Sequence, residues 1–105
     1  MTKNVFEDIP QALADEVFDR IIETDTVKIE RIVSKGHTSP AFGWYDQADN
    51  EWVIVLKGEA KLLIEGAGEH HLMPGSHIHI PAHQKHKVTW TKEDTETIWL
   101  AVHYS

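Results

Sequence analysis

Apolar residues at Leu13, Val17, Phe18, Ile21 and Ile22 recur at helical spacing. Asp8 with Gln11 three positions on, and Pro10 in the first turn, supply a helix start. The pattern predicts one helix over about residues 9–23 and none elsewhere. From Val27 to Val33 the run becomes strand-like, and Ser34 to Asn50 reads as a long loop with Gly36, Pro40 and Gly43. Loops of that length inside compact domains are more often functional than decorative. Beyond residue 50 the chain is strand and turn throughout: 52–56, 60–65, 70–72, 76–80, 86–91 and 97–104. Glycine and proline punctuate the intervals, as in a β-sandwich or barrel.

Side chains alternate across a strand, so parity sorts them by face. In the strand after Lys85, Lys87 and Thr89 share one face; His86, Val88 and Trp90 share the other. Lysine prefers water, which sends His86 inward. Ile78 and Ile80 take the inner face of their strand and leave His77 and His79 outside, as surface or dimer-contact residues. Glu51 shares its face with Val53 and Val55, and Trp52, Ile54 and Leu56 take the opposite, equally apolar one; if the Val53 side faces the interior, Glu51 enters it where its strand begins. A buried carboxylate is costly unless it is paired or ligates a metal. An interior glutamate and an interior histidine form the sharpest constellation in the chain.

Composition narrows the options. The 105 residues allow one domain, and with no cysteine neither disulfides nor thiolate metal sites are available. Seventeen acids against ten Lys and Arg give a net charge of −7, which argues against nucleic acid and anionic membrane as partners. Eight histidines would carry that charge to +1 if all were protonated. The acidic start without an apolar run is not a signal peptide, and no stretch approaches the ~18 apolar residues of a membrane span. A cytoplasmic protein is the expectation, with a homodimer supplementing a modest core.

The run from Glu51 to Val88 resembles the cupin superfamily, whose second motif is G-x5-P-x-G-x2-H-x3-N. Gly75, Pro81 and His86 match it; His83 stands at the second glycine and Trp90 at the asparagine. Glu51-x6-Gly58 matches the end of the first motif, G-x5-H-x-H-x3/4-E-x6-G. Its two histidines are replaced: Gln47 and Tyr45 fall there on one count, Asp46 and Trp44 on the other. The resemblance implies an all-β fold, a single cupin-type jelly-roll barrel over residues 26–105. Residues 1–25 would be a helical extension packed on it.

What the resemblance implies about chemistry centres on Glu51 and His86. With Gln47 or Asp46, and water, they would hold one divalent transition metal at the barrel mouth, about one ion per chain. An oxygen-rich set suits Mn or Fe(II), with Zn and Ni also open. The other reading is a hydrogen-bonded Glu–His pair in a pocket without metal. Asp46 or His83 would move protons, and Phe42, Trp44, Tyr45 and Trp90 would wall a pocket for a small-molecule ligand. The same rings could instead plug the mouth or meet a second copy. His70 and His71 point to opposite faces, while His37 and His103 have no assigned role; His103 shares a face with Trp99 and Ala101. Two functions fit: a metal-dependent enzyme on a small polar organic substrate, of dioxygenase or isomerase type, or a non-catalytic binding or sensing module. Fold alone does not choose.

Overall fold

The computed structural model describes residues 2–105. Eight strands follow one another: β1 Val17–Glu23, β2 Val27–Ser34, β3 Asn50–Lys57, β4 Ala60–Ile64, β5 Gly68–Leu72, β6 His77–Ile80, β7 His86–Thr91 and β8 Thr97–Tyr104. They form a five-stranded sheet in the order β1-β2-β8-β3-β6 and a three-stranded sheet in the order β5-β4-β7. Every pairing is antiparallel. The architecture is an all-β jelly roll, as expected.

Alternation builds the core between the sheets. Val53 and Val55 of β3, Leu62 and Ile64 of β4, Ile80 of β6, and Trp99 and Ala101 of β8 are buried in one cluster. These are the even-numbered or odd-numbered members of each strand, as a period of two requires. Gly58 makes the tight β3–β4 connection at φ +86°, and a Cβ there would come within 2.6 Å of the Thr97 Cα. Only glycine suits that position.

The N-terminal helix is not formed; among the described residues there is no helix. Residues 17–23 are instead strand β1, paired with β2 from Val17↔Val33 to Glu23↔Lys28. The sheet offers an unpaired β2 edge, and Val17, Phe18, Ile21 and Ile22 are strand-favouring types that tertiary pairing recruits. A bulge between Arg20 and Ile22 breaks the strict alternation, which is how a strand came to mimic helical spacing. Asp8, the expected cap, adopts φ +55° in a turn. The preceding segment is held by Arg31, which donates to the carbonyls of Val5, Glu7 and Asp8 and pairs with Asp19. No helix among the described residues is long and apolar enough to cross a membrane.

Candidate functional site

A cavity of about 130 Å³ lies between the sheets. Its apolar walls come from Ile32, Val53, Leu62, Ile80, Val88 and Trp99; its polar lining comes from Glu16, Lys28, Glu30, Ser39, Tyr45, Gln47, Glu51, His86 and His103. An apolar pocket with a few convergent polar groups is the usual form of a small-molecule site.

His86 points inward as parity predicts, and the Val53 side of β3 is the interior one, which brings Glu51 in with it. Glu51 and His86 are 8% and 5% exposed, and His86 Nε2 lies 3.2 Å from Glu51 Oε1. The approach is close but poorly aligned, so the buried Oε1 has no hydrogen-bond partner. On its other side the His86 ring donates from Nδ1 to the Gln84 carbonyl at 2.9 Å. A carbonyl only accepts, so the proton sits on Nδ1 and a neutral ring turns its Nε2 lone pair toward Glu51. Burial is the largest influence on His86 and opposes its charge. The Glu51 contact and charge, with the Gln84 carbonyl, together outweigh it and raise the imidazole pKa above 6.5.

His103 and Glu30 complete the constellation, and neither was singled out from the sequence for this role. His103 Nε2 stands 3.4 Å from Glu30 Oε1 and 3.8 Å from Glu51 Oε2, bridging two carboxylates. The parity of β8 carried the signal, since Trp99, Ala101 and His103 are all buried. Glu30 was hidden by its pattern. Lys28 and Glu30 look like a solvated face, yet Glu30 is opposite Ala101 in register and so faces the cavity. Ser34 links the far wall, accepting from Trp99 Nε1 at 3.2 Å and donating to Glu16 at 2.6 Å.

The 35–49 loop crosses the mouth by pairing with β7: Ser39 bridges Val88, and Tyr45 bridges His86. That brings the Tyr45 ring to 5.5 Å from the His86 ring. Burial pushes the Tyr45 phenol up, although its hydrogen bond with Ser39 acts the other way. Gln47 also reaches the lining, and its carbonyl accepts from the His83 N–H at 2.7 Å.

Several expected pocket residues lie elsewhere. Phe42 is 92% exposed, and Trp44 sits under Lys87 Nζ at 4.5 Å; neither lines the cavity. Trp90 was placed inward by parity, but the β4–β7 register shifts between Lys61 and Leu62. The bulge reverses the face, so Thr91 is buried while Trp90 packs outside against His71 and Lys61. Asp46 and His83 bond to each other at 2.9 Å with largely exposed side chains, outside the cavity lining, so neither is placed to move a proton within it. His83 occupies φ +62°, the left-handed conformation that explains why glycine belongs at this motif position.

The remaining histidines are structural or external. His37 accepts from Lys35 N–H and contacts the Ala14 carbonyl, tying loop to N-terminal segment. His77 and His79 face outward, beside Trp52 and Tyr104 respectively. His71 pairs with Glu59 at 2.7 Å.

For a metal, the donor set is short. Glu51 and His86 lie 3.2 Å apart and His103 spans Glu51 and Glu30, but among the described residues no group of three or more His, Cys, Asp or Glu is disposed to hold an ion. The residues present therefore do not fit a firmly held resident ion, which needs at least three protein ligands in a typical catalytic site.

Comparison with known proteins is consistent with this architecture. A structure from Ralstonia eutropha JMP134, provisionally named a mannose-6-phosphate isomerase, is 42% identical over 100% of this chain and 98% of that one, with a TM-score of 0.94. A cupin superfamily protein of Desulfitobacterium hafniense DCB-2 is 18% identical (91% and 83% covered, TM-score 0.76). A DMSP lyase of Ruegeria pomeroyi DSS-3 is 23% identical, covering 78% of this chain and 40% of that one, with a TM-score of 0.66. The last two share the fold alone. No curated protein matches the chain. The cupin-domain family model matches residues 31–103, from β2 through β8, and the chain therefore belongs to the cupin family.

Proposed function

We propose that this cupin binds a small polar organic molecule in the cytoplasm and moves a proton on it, an isomerase-type reaction run by the Glu51–His86 pair. The observation that carries the reading is the pair itself: a buried carboxylate with an unsatisfied oxygen beside an imidazole of raised pKa, in a cavity. Such coupled groups are the means by which one site both accepts and donates a proton. His103, between Glu51 and Glu30, is the route by which a proton would leave. The isomerase name of the 42% identical relative agrees in reaction class.

A metal-dependent enzyme is the second reading. It is favoured by the Gln84 anchor on His86 Nδ1, the arrangement common to metal-bound imidazoles, with Gln47 in the same lining. Elemental analysis of tag-free protein separates the readings. The acid–base account expects far less than one ion per chain. About one ion per chain, lost in Glu51→Ala and His86→Ala, would overturn it in favour of the metal.

A further inference from the structure

The charge of the cavity lining indicates what it admits. Three carboxylates, Glu16, Glu30 and Glu51, face it against one permanent cation, Lys28. That lysine is already engaged, its Nζ 3.8 Å from Glu30 Oε1. The lining holds no arginine, and no helix N-terminus among the described residues points into it. Both are common devices for holding a phosphate.

A second observation is independent of the charge count. Glu51 is more than nine-tenths buried, lines the cavity and leaves Oε1 without a hydrogen-bond partner. An ionised carboxylate only accepts, so the group missing from this site is a hydrogen-bond donor. Buried polar groups without partners in an otherwise well-packed protein call for an explanation, and an absent ligand is one. The donor that best answers a negatively charged lining is a positively charged one. Space sets the scale: 130 Å³ lies well below the roughly 300–1,000 Å³ of ordinary ligand clefts.

We propose that the cavity takes a small primary-ammonium compound, whose N–H groups satisfy Glu51 and whose charge answers Glu16 and Glu30, and that it rejects sugar phosphates. The inference rests on the cavity being the substrate site, and it names the substrate class. It also separates this chain from the activity in its relative's name: the proton chemistry is shared and the phosphate ester is not. A dianionic ester would meet three carboxylates against one occupied lysine and two imidazoles, His86 and His103, each of which already faces a carboxylate.

The test is a set of NMR titrations of the full chain in EDTA-treated buffer, following the imidazole signals of His86 and His103. The probes are ethanolamine, its neutral isostere ethylene glycol, choline and mannose 6-phosphate. Ethanolamine should shift both histidines saturably, at least about tenfold more tightly than any of the other three. Glu51→Gln keeps the shape of the side chain and should weaken ethanolamine by about tenfold. The spectrum of that variant reports whether the fold is kept, and Glu30→Gln, expected to weaken ethanolamine in the same direction, serves as the second variant. Ethylene glycol or mannose 6-phosphate binding as tightly as ethanolamine would overturn the ammonium proposal and leave the cavity as the site. Choline binding equally well would overturn the hydrogen-bonding role given to Glu51. If no probe moves the cavity histidines, the ammonium proposal fails, and if Glu51→Gln also leaves the His86 titration unchanged, the acid–base reading fails with it.

Discussion

His83 shows how a single residue can depart from a motif without loss of the fold. It takes a left-handed φ of +62° and is fastened there by Asp46 at 2.9 Å. Histidine is among the non-glycine residues that tolerate this region. Removing the bond while keeping a Cβ should be worse than restoring the glycine. His83→Ala is expected to lower stability by about 1 kcal/mol more than His83→Gly, measured by urea denaturation. Equal midpoints for the two variants would show that the backbone there is unstrained. His86 carries a residue-scale pH dependence as well. Its pKa is raised above 6.5, so the stability it contributes is present in full below that value and lost as pH climbs through the folded pKa. Thermal midpoints of wild type and His86→Gln should therefore converge on going from mildly acidic to alkaline buffer.

At the scale of the element, parity was the strongest guide and bulges were its limit. The strands from β3 to β8 were legible in the sequence because turn residues bound them and one face of each is apolar. His86 follows from that alternation, whereas Glu51 needs the Val53 side of β3 to be the inner one, which its two apolar faces leave open. Trp90 departs from the alternation, because one extra residue in β7 reverses every face beyond it, and no local residue announces the bulge. β1 failed for a related reason: its bulge and edge position leave Phe18, Ile21 and Ile22 about half exposed, without the inward alternation of a central strand. The mouth loop is legible as a loop, but not its path across the mouth, because its ladder contacts at Ser39 and Tyr45 are tertiary. Gly58 holds the β3–β4 connection against Thr97. Gly58→Ala forces a Cβ against Thr97 at φ +86° and should cost about 1–3 kcal/mol in denaturant unfolding. A neutral substitution would contradict the tight β3–β4 connection.

At the scale of the whole molecule, the five-stranded sheet has two apolar faces and only one shared core. Its outer side carries Trp52 and Ile54 of β3 beside Leu100 and Val102 of β8, all only partly buried. Trp52 is opposite Val102 and Ile54 opposite Leu100, so the four form one continuous patch. The patch crosses strands at the centre of the sheet, and a second copy of this chain is the occupant that the sequence patterning anticipates. Light scattering at micromolar concentration should return twice 12.0 kDa, and Leu100→Glu should return the monomer. A wild-type monomer would remove the second copy from the account. The inner face serves the site: β2, β3 and β8 deliver Glu30, Glu51 and His103, and β7 of the three-stranded sheet brings His86 from across the cavity.

On the proposed acid–base reading, Glu51 and His86 act as one coupled unit inside the cavity. An NMR pH titration of the His86 imidazole, in wild type and in Glu51→Gln, addresses it directly. The wild-type midpoint should lie above 6.5, and the variant midpoint should fall, because burial then acts with less opposition. A His86 midpoint at or below 6.5 in the wild type, or one that Glu51→Gln leaves unmoved, would show that the two groups are not coupled.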